Sequence, residues 1–254
     1  MSLNKFPQVS KILKMRKIKY VQAINEAFHQ MMERDERVFV IGVGVNSPWY
    51  VGQSMVGLHE KFGDNRVIDP PVSENAITGI AIGASITGMR PVVIHPRMDF
   101  MYLAMDQIVN HCAQWHYMFG GKINVPVVIR GIINRGGEQA AQHSQALQAI
   151  FIHIPGLKVV MPSTPYDAKG LLIASILDEN PVIYIDDRWL YEEEGEVPDE
   201  IYSVPIGKAI IRKSGKDVTV VATSFMVLEA LKASESLEVD IEVIDLRSVK
   251  TVDK

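Results

Sequence analysis

Short apolar runs alternate with helix-like segments over residues 16–190, and this alternation constrains the fold more than any other feature of the sequence. The runs are rich in Val and Ile and are bounded by Gly, Pro or polar residues. The predicted strands are 38–41, 91–94, 125–130, 157–161 and 181–185. The predicted helices are 20–34, 74–88, 99–117, 144–152 and 164–177. Such a pattern predicts an α/β fold, with a parallel sheet covered by helices on both faces.

Four parts of the chain can be distinguished by composition. Residues 1–15 carry several lysines and no acid, which predicts a flexible arm, and 16–190 form the α/β domain. The acidic, proline-containing stretch that follows predicts a surface linker over 191–204. Residues 205–254 carry a strand, a helix and a strand, at 217–222, 226–236 and 241–245. Because one such unit cannot bury both its faces, we expect 205–254 to be a partial α/β domain.

Charge and composition exclude several classes of function. A formal net charge of -4 gives no attraction to nucleic acid, and no run of apolar residues is long enough to cross a membrane. The N-terminal residues lack the apolar core of a secretory signal. The single cysteine, Cys112, excludes an intrachain disulfide and is compatible with a reducing cytoplasm, where we expect the protein to reside. Its mid-helix position beside His111 lacks metal-ligand spacing, which favours a buried structural thiol.

Residues 69–74, Asp-Pro-Pro-Val-Ser-Glu, end in a carboxylate that opens a helix rich in Gly, Ala and Ile. Ser73 is a candidate helix cap, and Glu74 would then be the first helical residue. Two interpretations of Glu74 are open on this pattern. It stabilises the positive end of the helix dipole, or it is a functional group that faces a site.

Two further candidates follow strands of the predicted sheet, where ligand sites of such folds lie. His143 stands at the junction of a loop and a helix, and it is either a general acid or base or an ordinary solvent-facing side chain. The loop 95–100 mixes charge with apolar bulk, which suits a ligand wall or an ordinary connection between strand and helix.

Five motifs in order resemble the beta subunit of thiamine-diphosphate-dependent 2-oxo acid dehydrogenases, of the pyruvate, branched-chain and acetoin type. They are 69–74, 104–110, 141–145, 153–162 and 167–172, and the resemblance covers about residues 16–250. It implies the thiamine-diphosphate-binding fold, with this chain as the pyrimidine-binding domain. It also implies an enzyme that decarboxylates a 2-oxo acid and transfers the acyl group, in dehydrogenase complexes to lipoamide.

The resemblance assigns roles to several side chains. Glu74 matches the glutamate that hydrogen-bonds the aminopyrimidine ring of thiamine diphosphate and triggers its ionisation, which makes it catalytic and cofactor-binding. His143 matches a catalytic histidine at the mouth of the site. The remaining implied residues are Met98 and Tyr102 at the cofactor, His95 and Arg97 in the substrate pocket, and Asp178 and Asn180 at a monovalent cation such as K⁺.

Three departures from the family pattern bear on the substrate. Residues 42–45 read Gly-Val-Gly-Val where the family usually has Gly-Glu-Asp-Val, so an acidic residue near the cofactor is missing. Met98 takes the position at which we expect the ring-stacking Phe of the family. Arg97 lies in a segment that is usually more apolar, and a guanidinium there suits an anionic or hydroxylated substrate.

The family binds the cofactor's diphosphate through a divalent metal at a Gly-Asp-Gly motif, but this chain contains no Asp-Gly dipeptide. The resemblance therefore implies a separate alpha subunit that supplies the diphosphate site with its Mg²⁺. It further implies self-association in a heterotetramer and docking to a lipoyl acyltransferase. Two alternatives stay open: a split transketolase-like enzyme that moves ketol or aldehyde units between sugars, and a non-catalytic subunit that keeps the scaffold.

Overall fold

The computed structural model describes residues 14–47, 49–134 and 139–250. Most of the predicted arm therefore lies outside the described residues, as do residues 48 and 135–138. The strands are β1 (Met15–Lys19), β2 (Val38–Gly42), β3 (Val67–Ile68), β4 (Arg90–His95), β5 (Val128–Ile133), β6 (Lys158–Val160), β7 (Val182–Asp187), β8 (Glu194–Pro198), β9 (Ile210–Lys213), β10 (Val218–Ala222), β11 (Ile241–Asp245) and β12 (Ser248–Lys250). The α-helices are α1 (Tyr20–Arg34), α2 (Leu58–Phe62), α3 (Glu74–Ile86), α4 (Trp115–Met118), α5 (Gln148–His153), α6 (Pro165–Leu177) and α7 (Phe225–Ser236).

The central sheet has seven strands within the described chain, in the order β12-β6-β7-β5-β4-β2-β3. All neighbouring pairs are parallel except β12, which runs antiparallel to β6. The expected α/β architecture with a predominantly parallel sheet is thus confirmed. Parallel strands bring their carboxyl ends to one edge, and the loops after β2, β3, β4 and β5 meet there.

Both faces of this sheet are buried, which explains why its strands are continuous apolar runs. In β2, Val38 and Val40 belong to the core on the face that α1 and α6 cover. Phe39 and Ile41 point the other way, into the core that α3 covers. Each of these side chains contributes about 1.5–3 kcal/mol by leaving water, so the sheet fixes the position of the loops at its edge.

The prediction of one long α-helix over 99–117 is wrong. The segment begins as a 3₁₀-helix, Met98–Ala104, continues as a π-helical stretch, Gln107–Cys112, and ends in the short helix α4. Met98, Met101 and Ala104 are fully buried and lie three residues apart, which is the period of a 3₁₀-helix. Burial of these three side chains on one face favours the 3₁₀-helix over the predicted α-helix.

The third predicted strand is displaced along the chain. β5 begins at Val128, after Pro126, and continues through Gly131 to Ile133, beyond the predicted end at residue 130. A Cβ atom at position 131 would lie 2.5 Å from the Sδ atom of Met101. Gly131 therefore serves the close approach of the 3₁₀-helix to the strand, and it does not begin a turn.

The segment predicted as a surface linker contains a strand. β8 pairs antiparallel with β1, and its Val197 is fully buried. The glutamates that made the stretch look like a linker pair with the basic residues of β1, as in the Lys17–Glu194 ion pair at 3.0 Å. The partner strand lies far away in sequence, so local composition could not indicate the pairing. The domain boundaries at 190/191 and 204/205 stay predictions.

Within the described residues, the sheet of the C-terminal unit contains one more strand than predicted, in the order β10-β11-β9, and α7 packs on it. It is tied to the first domain by β12 and by a buried charge network. In that network Arg212 pairs with Asp245 at 2.8 Å and also with Asp167 of α6, and Arg247 contacts the same Asp167 at 3.3 Å.

Cys112 is a free thiol that is 1% exposed, so the prediction of a buried structural cysteine is confirmed. Burial raises the pKa of this thiol, which keeps it protonated and unreactive. Among the described residues, every helix is too short or too polar to traverse a bilayer.

Candidate functional site

A cavity of about 250 Å³ opens at the carboxyl edge of the sheet. Four segments wall it: the loop after β2, the start of α3, the end of β4 with the 3₁₀-helix that follows, and the segment after β5. Its lining residues are Val43, Tyr50, Val72, Glu74, Ile77, Ile94, His95, Pro96, Arg97, Phe100, Leu103 and His143. The structure thus brings together four residues that the sequence predicted for the site: Glu74, His95, Arg97 and His143.

Glu74 is the first residue of α3 and is half-buried in the cavity wall. Ser73 occupies the N-cap position of α3, as predicted, but its side chain makes no capping hydrogen bond. The Glu74 carboxylate itself makes no hydrogen bond or ion pair that involves the described residues. It lies at the positive end of the helix dipole and lines the cavity, a position compatible with both interpretations of the sequence.

The remaining walls suit a flat ring. Phe100 packs edge-on against His143, with ring centroids 5.2 Å apart and planes at 85°. Val72, Ile77 and Leu103 complete an apolar surface on the side of Glu74. The Nδ1 atom of His143 is buried and has no hydrogen-bond partner within the described structure, which leaves it able to bind a ligand atom.

Met98 does not line the cavity, although the sequence assigned it to the cofactor. It is fully buried in the core beneath, where its Sδ atom accepts a hydrogen bond from the Leu147 amide at 3.2 Å. Tyr102 is 47% exposed and also lies outside the lining. Phe100 and Leu103 face the cavity instead, because the 3₁₀-helix directs Met98 and its i+3 neighbours into the core. The three-residue period of the buried positions is the signal that could have located Phe100.

His95 ends β4 and is only 2% exposed. Its Nε2 atom lies 3.4 Å from the Thr78 hydroxyl of α3. Burial lowers the pKa of His95 to about 4, since a buried imidazolium loses its hydration. His95 is therefore a neutral wall of the cavity at physiological pH.

The low pKa of His95 predicts a loss of stability in acid. The unfolded chain takes up a proton near pH 6.5, whereas the folded chain does so only near pH 4. Between these values the unfolded state binds more protons, so the free energy of unfolding should fall by about 3 kcal/mol as pH drops. Urea denaturation at several pH values measures this, with His95→Asn as the comparison. An equally steep fall in the variant between pH 6.5 and 4 would contradict the assignment.

Arg97 follows His95 and contributes a positive charge to the same wall, at 7% exposure. Its guanidinium donates to Gln139 Oε1 at 2.8 Å, to the Pro96 carbonyl at 2.7 Å and to the Tyr50 carbonyl at 3.4 Å. It also lies 5.8 Å from the centroid of the Tyr50 ring. Arg188 donates to the same Tyr50 carbonyl, so two arginines hold the loop after β2 against the cavity.

Asp69, the first residue of the motif 69–74, connects two segments of the cavity wall. Its carboxylate accepts hydrogen bonds from the amides of Gly44 at 2.8 Å and Asn46 at 3.3 Å. Asp69 therefore joins the loop after β2 to the segment that leads into α3. The two prolines that follow it restrict the backbone, which fixes where Glu74 starts its helix.

Asp178 and Asn180 lie between α6 and β7, at the amino edge of the sheet and away from the cavity. Asp178 pairs with the Lys158 ammonium at 2.5 Å and accepts hydrogen bonds from the amide and side chain of Asn180. A cation of the protein itself thus already contacts this carboxylate. The monovalent cation site stays a prediction.

Family models match almost the whole described chain. Residues 16–193 match the transketolase pyrimidine binding domain, and 207–254 match the transketolase C-terminal domain.

The similar curated proteins named below are beta subunits of oxidoreductases or dehydrogenases. The chain is 46% identical over 252 residues to the beta subunit of an acetoin:2,6-dichlorophenolindophenol oxidoreductase of Cupriavidus necator, covering 94% of this chain and 74% of that one. It is 44% identical to the 2-oxoisovalerate dehydrogenase subunit beta of Bacillus subtilis, covering 92% and 73%. It is also 44% identical to the pyruvate dehydrogenase E1 subunit beta of Cyanidium caldarium, covering 91% and 72%.

Solved structures share the fold at lower identity. A split-gene transketolase, solved as an inactive beta4 tetramer, aligns with a TM-score of 0.72 at 22% identity, over 91% of this chain and 72% of that one. The transketolase of Leishmania mexicana aligns with a TM-score of 0.73 at 16% identity, over 94% and 36%.

Proposed function

The chain belongs to the transketolase family, among the beta subunits of thiamine-diphosphate-dependent 2-oxo acid dehydrogenases, and from this premise we propose that it supplies the pyrimidine half of a two-chain enzyme that decarboxylates a 2-oxo acid. The observation that carries the proposal is the meeting of Glu74 and His143 in one apolar-walled cavity. The named relatives favour this function over the transketolase alternative, since the split-gene transketolase shares only the fold at its identity.

The residues of the cavity fit the pyrimidine end of thiamine diphosphate. When bound, that cofactor supplies a nucleophilic ring carbon and holds the electrons released as carbon dioxide leaves. The Glu74 carboxylate has no competing partner among the described residues, and Phe100 offers an aromatic face beside it. We propose that Glu74 holds a ring nitrogen by a hydrogen bond and shares its proton.

The other side chains of the cavity orient the substrate and exclude water. We propose that His143, through its buried and unpartnered Nδ1, binds the substrate or the transferred acyl group. His95 is neutral at physiological pH, so it offers no positive charge that would pair with the Glu74 carboxylate. Val43, where the family usually has an acid, makes the wall apolar, so proton transfer at this site rests on Glu74 and His143.

We propose that an alpha subunit completes the site, because this chain has no Asp-Gly dipeptide with which to hold the Mg²⁺-bound diphosphate. Exposed apolar side chains surround the cavity and offer a surface for that partner. They are Val72 at 71%, Ile80 at 59%, Leu103 at 60% and Tyr102 at 47% exposure. Association through α3 and the 3₁₀-helix would give a heterotetramer with the sites at subunit interfaces.

The chain alone should therefore bind thiamine diphosphate weakly. With magnesium present, we expect a dissociation constant no better than about 1 mM, since only the neutral pyrimidine end finds contacts. Titration calorimetry on the isolated chain measures this, and the same titration after addition of an alpha subunit of this family is the control. Micromolar binding by the isolated chain would refute the split site.

The fate of the acyl group and the cellular setting complete the proposal. We propose transfer to the lipoyl group of an acyltransferase partner, cytoplasmic residence, and a K⁺ ion at Asp178 and Asn180 only if Lys158 withdraws. Reduction of a lipoyl domain by the assembled enzyme, measured as 2-oxo acid is consumed, tests the first. Ketol transfer between sugars in place of that reaction would favour the transketolase alternative.

A further inference from the structure

Arg97 differs from every other buried cation of the described chain. Five lysine and arginine side chains are buried there: Arg90, Arg97, Arg130, Lys169 and Arg247. Four of them form an ion pair with a carboxylate: Arg90 with Glu179, Arg130 with Asp186, Lys169 with Glu26, and Arg247 with Asp167. Within the described residues, Arg97 has only neutral acceptors, namely one side-chain amide and two backbone carbonyls.

An unpaired buried charge is costly, and the surroundings of Arg97 show that cost. Burial and the nearby Arg188 lower the pKa of Arg97, and the attraction of Asp99, which forms no ion pair with it, offsets only part of that effect. The guanidinium nevertheless stays charged at neutral pH, because arginine starts above 12. Its Nη2 nitrogen makes no hydrogen bond to a described residue. A planar donor of this kind matches a carboxylate in geometry as well as in charge.

No described residue supplies a carboxylate partner to Arg97, so we look for its ligand outside the described chain. Among the described residues, Glu74 is the only carboxylate that lines the cavity, and the proposed function assigns it to the cofactor ring. The aminopyrimidine is neutral, and the diphosphate is assigned to the alpha subunit. The substrate is the remaining component of the site that carries a negative charge.

We propose that Arg97 binds a carboxylate of the substrate and selects 2-oxo acids over neutral ketols such as acetoin. This inference rests on the proposed function. The carboxylate is either the one beside the reacting keto group or a second one at the far end of a 2-oxo diacid. Gln139 and the Pro96 carbonyl fix the fork of Arg97 before the substrate arrives, so little side-chain entropy is lost on binding.

Kinetics of the assembled enzyme test the selection. Wild type, Arg97→Met and Arg97→Lys are assayed with pyruvate, 2-oxoglutarate and acetoin, with 2,6-dichlorophenolindophenol as electron acceptor. Loss of a charged hydrogen bond should lower kcat/KM for the acids by about 10- to 100-fold in Arg97→Met, mainly through KM. Acetoin should change by less than about threefold, and Arg97→Lys should retain part of the selectivity. A loss with both acids assigns the reacting carboxylate, and a loss with 2-oxoglutarate alone assigns the distal one.

Arg188→Met is the matched control, because Arg188 donates to the same Tyr50 carbonyl but does not line the cavity. If Arg97 served only to anchor the Tyr50 loop, Arg188→Met would lose activity in the same way. Equal losses with acids and acetoin, or equal losses in the two variants, would overturn the inference. So would dissociation of Arg97→Met from the alpha subunit in light scattering, which would assign the missing counter-ion to that partner.

A binding measurement separates this inference from the proposed function. Methyl acetylphosphonate, an anionic analogue of pyruvate that cannot lose carbon dioxide, is titrated into the assembled complex by calorimetry. We expect about 10- to 100-fold weaker binding to Arg97→Met than to wild type. If wild type turns over none of the three substrates, the proposed function fails, and this titration still decides the role of Arg97. Equal affinity of wild type and variant would exclude the reacting carboxylate as the partner of Arg97, and unchanged kcat/KM for 2-oxoglutarate in the same variant would then overturn the inference.

Discussion

Replacing Glu74 with glutamine should reduce the turnover of the assembled enzyme by about 100- to 10,000-fold, the usual contribution of a positioned acid–base group. Glutamine keeps the size of the side chain and its place at the start of α3, but it cannot share a proton with a ring nitrogen. Steady-state kcat measures the loss. Affinity for thiamine diphosphate, measured by calorimetry, should fall by less than about tenfold, because the apolar walls of the cavity are unchanged.

A surface glutamate gives the matched control for this variant. Glu60 also lies in the first turn of a helix, α2, but it is exposed and outside the cavity. Glu60→Gln should leave turnover within about twofold of wild type, as surface substitutions do. Unchanged activity in Glu74→Gln would instead support the non-catalytic alternative, in which the scaffold is kept and the glutamate is a helix-dipole partner only.

Replacing Asp186 with asparagine should lower the free energy of unfolding by about 3–5 kcal/mol, the cost of leaving a buried charge without its partner. Both side chains of the Arg130–Asp186 pair have zero exposure, and two bonds of 2.8 Å join them. Ser54 and Tyr191 complete the network, at 2.9 Å from Arg130 Nη1 and 2.6 Å from Asp186 Oδ2. Asparagine keeps the shape of the carboxylate but leaves the Arg130 guanidinium without a counter-ion. Urea denaturation of the purified chain measures the change.

Two further variants decide whether charge is the cause. The double substitution Arg130→Met with Asp186→Leu removes both charges and should recover most of the loss, since an apolar pair needs no counter-ion. Lys61→Met, which breaks the exposed pair with Glu33, should cost at most about 1 kcal/mol. A cost below about 1 kcal/mol for Asp186→Asn would mean that water or a neighbour satisfies Arg130.

The sequence predicted the sheet well where burial acts on both faces of a strand. β2, β4 and β7 are buried at every position, and each contains at least three consecutive apolar residues, which favoured a strand of a parallel sheet. Glu74 was singled out by the apolar helix that it opens and His143 by its place after a strand, and the resemblance assigned both to the site. Their common cavity depends only on that topology and on short loops.

The errors arose where the deciding contacts are distant in sequence. A single long helix was predicted over 99–117, but Met101 packs against Gly131 and the segment begins as a 3₁₀-helix. Phe100, and not the predicted Met98, therefore lines the cavity. The pairing of β8 with β1 joins the two ends of the first domain, which composition could not reveal. The lack of an ion pair at Arg97 could not be predicted either, because a missing counter-ion can be recognised only when the neighbouring side chains are known.

The position of β12 has a consequence for how the protein is made. Strand β6 lies at the edge of the parallel strands until Ser248–Lys250 pairs with it. Synthesis of the intervening chain takes roughly 5 to 20 seconds on a ribosome, so β6 leaves the exit tunnel well before its cover. An open strand edge pairs readily with other chains. The nascent protein therefore passes through a stage in which the central sheet is nearly complete but has an open edge at β6. During that stage, chaperones must keep other nascent chains from pairing with this edge.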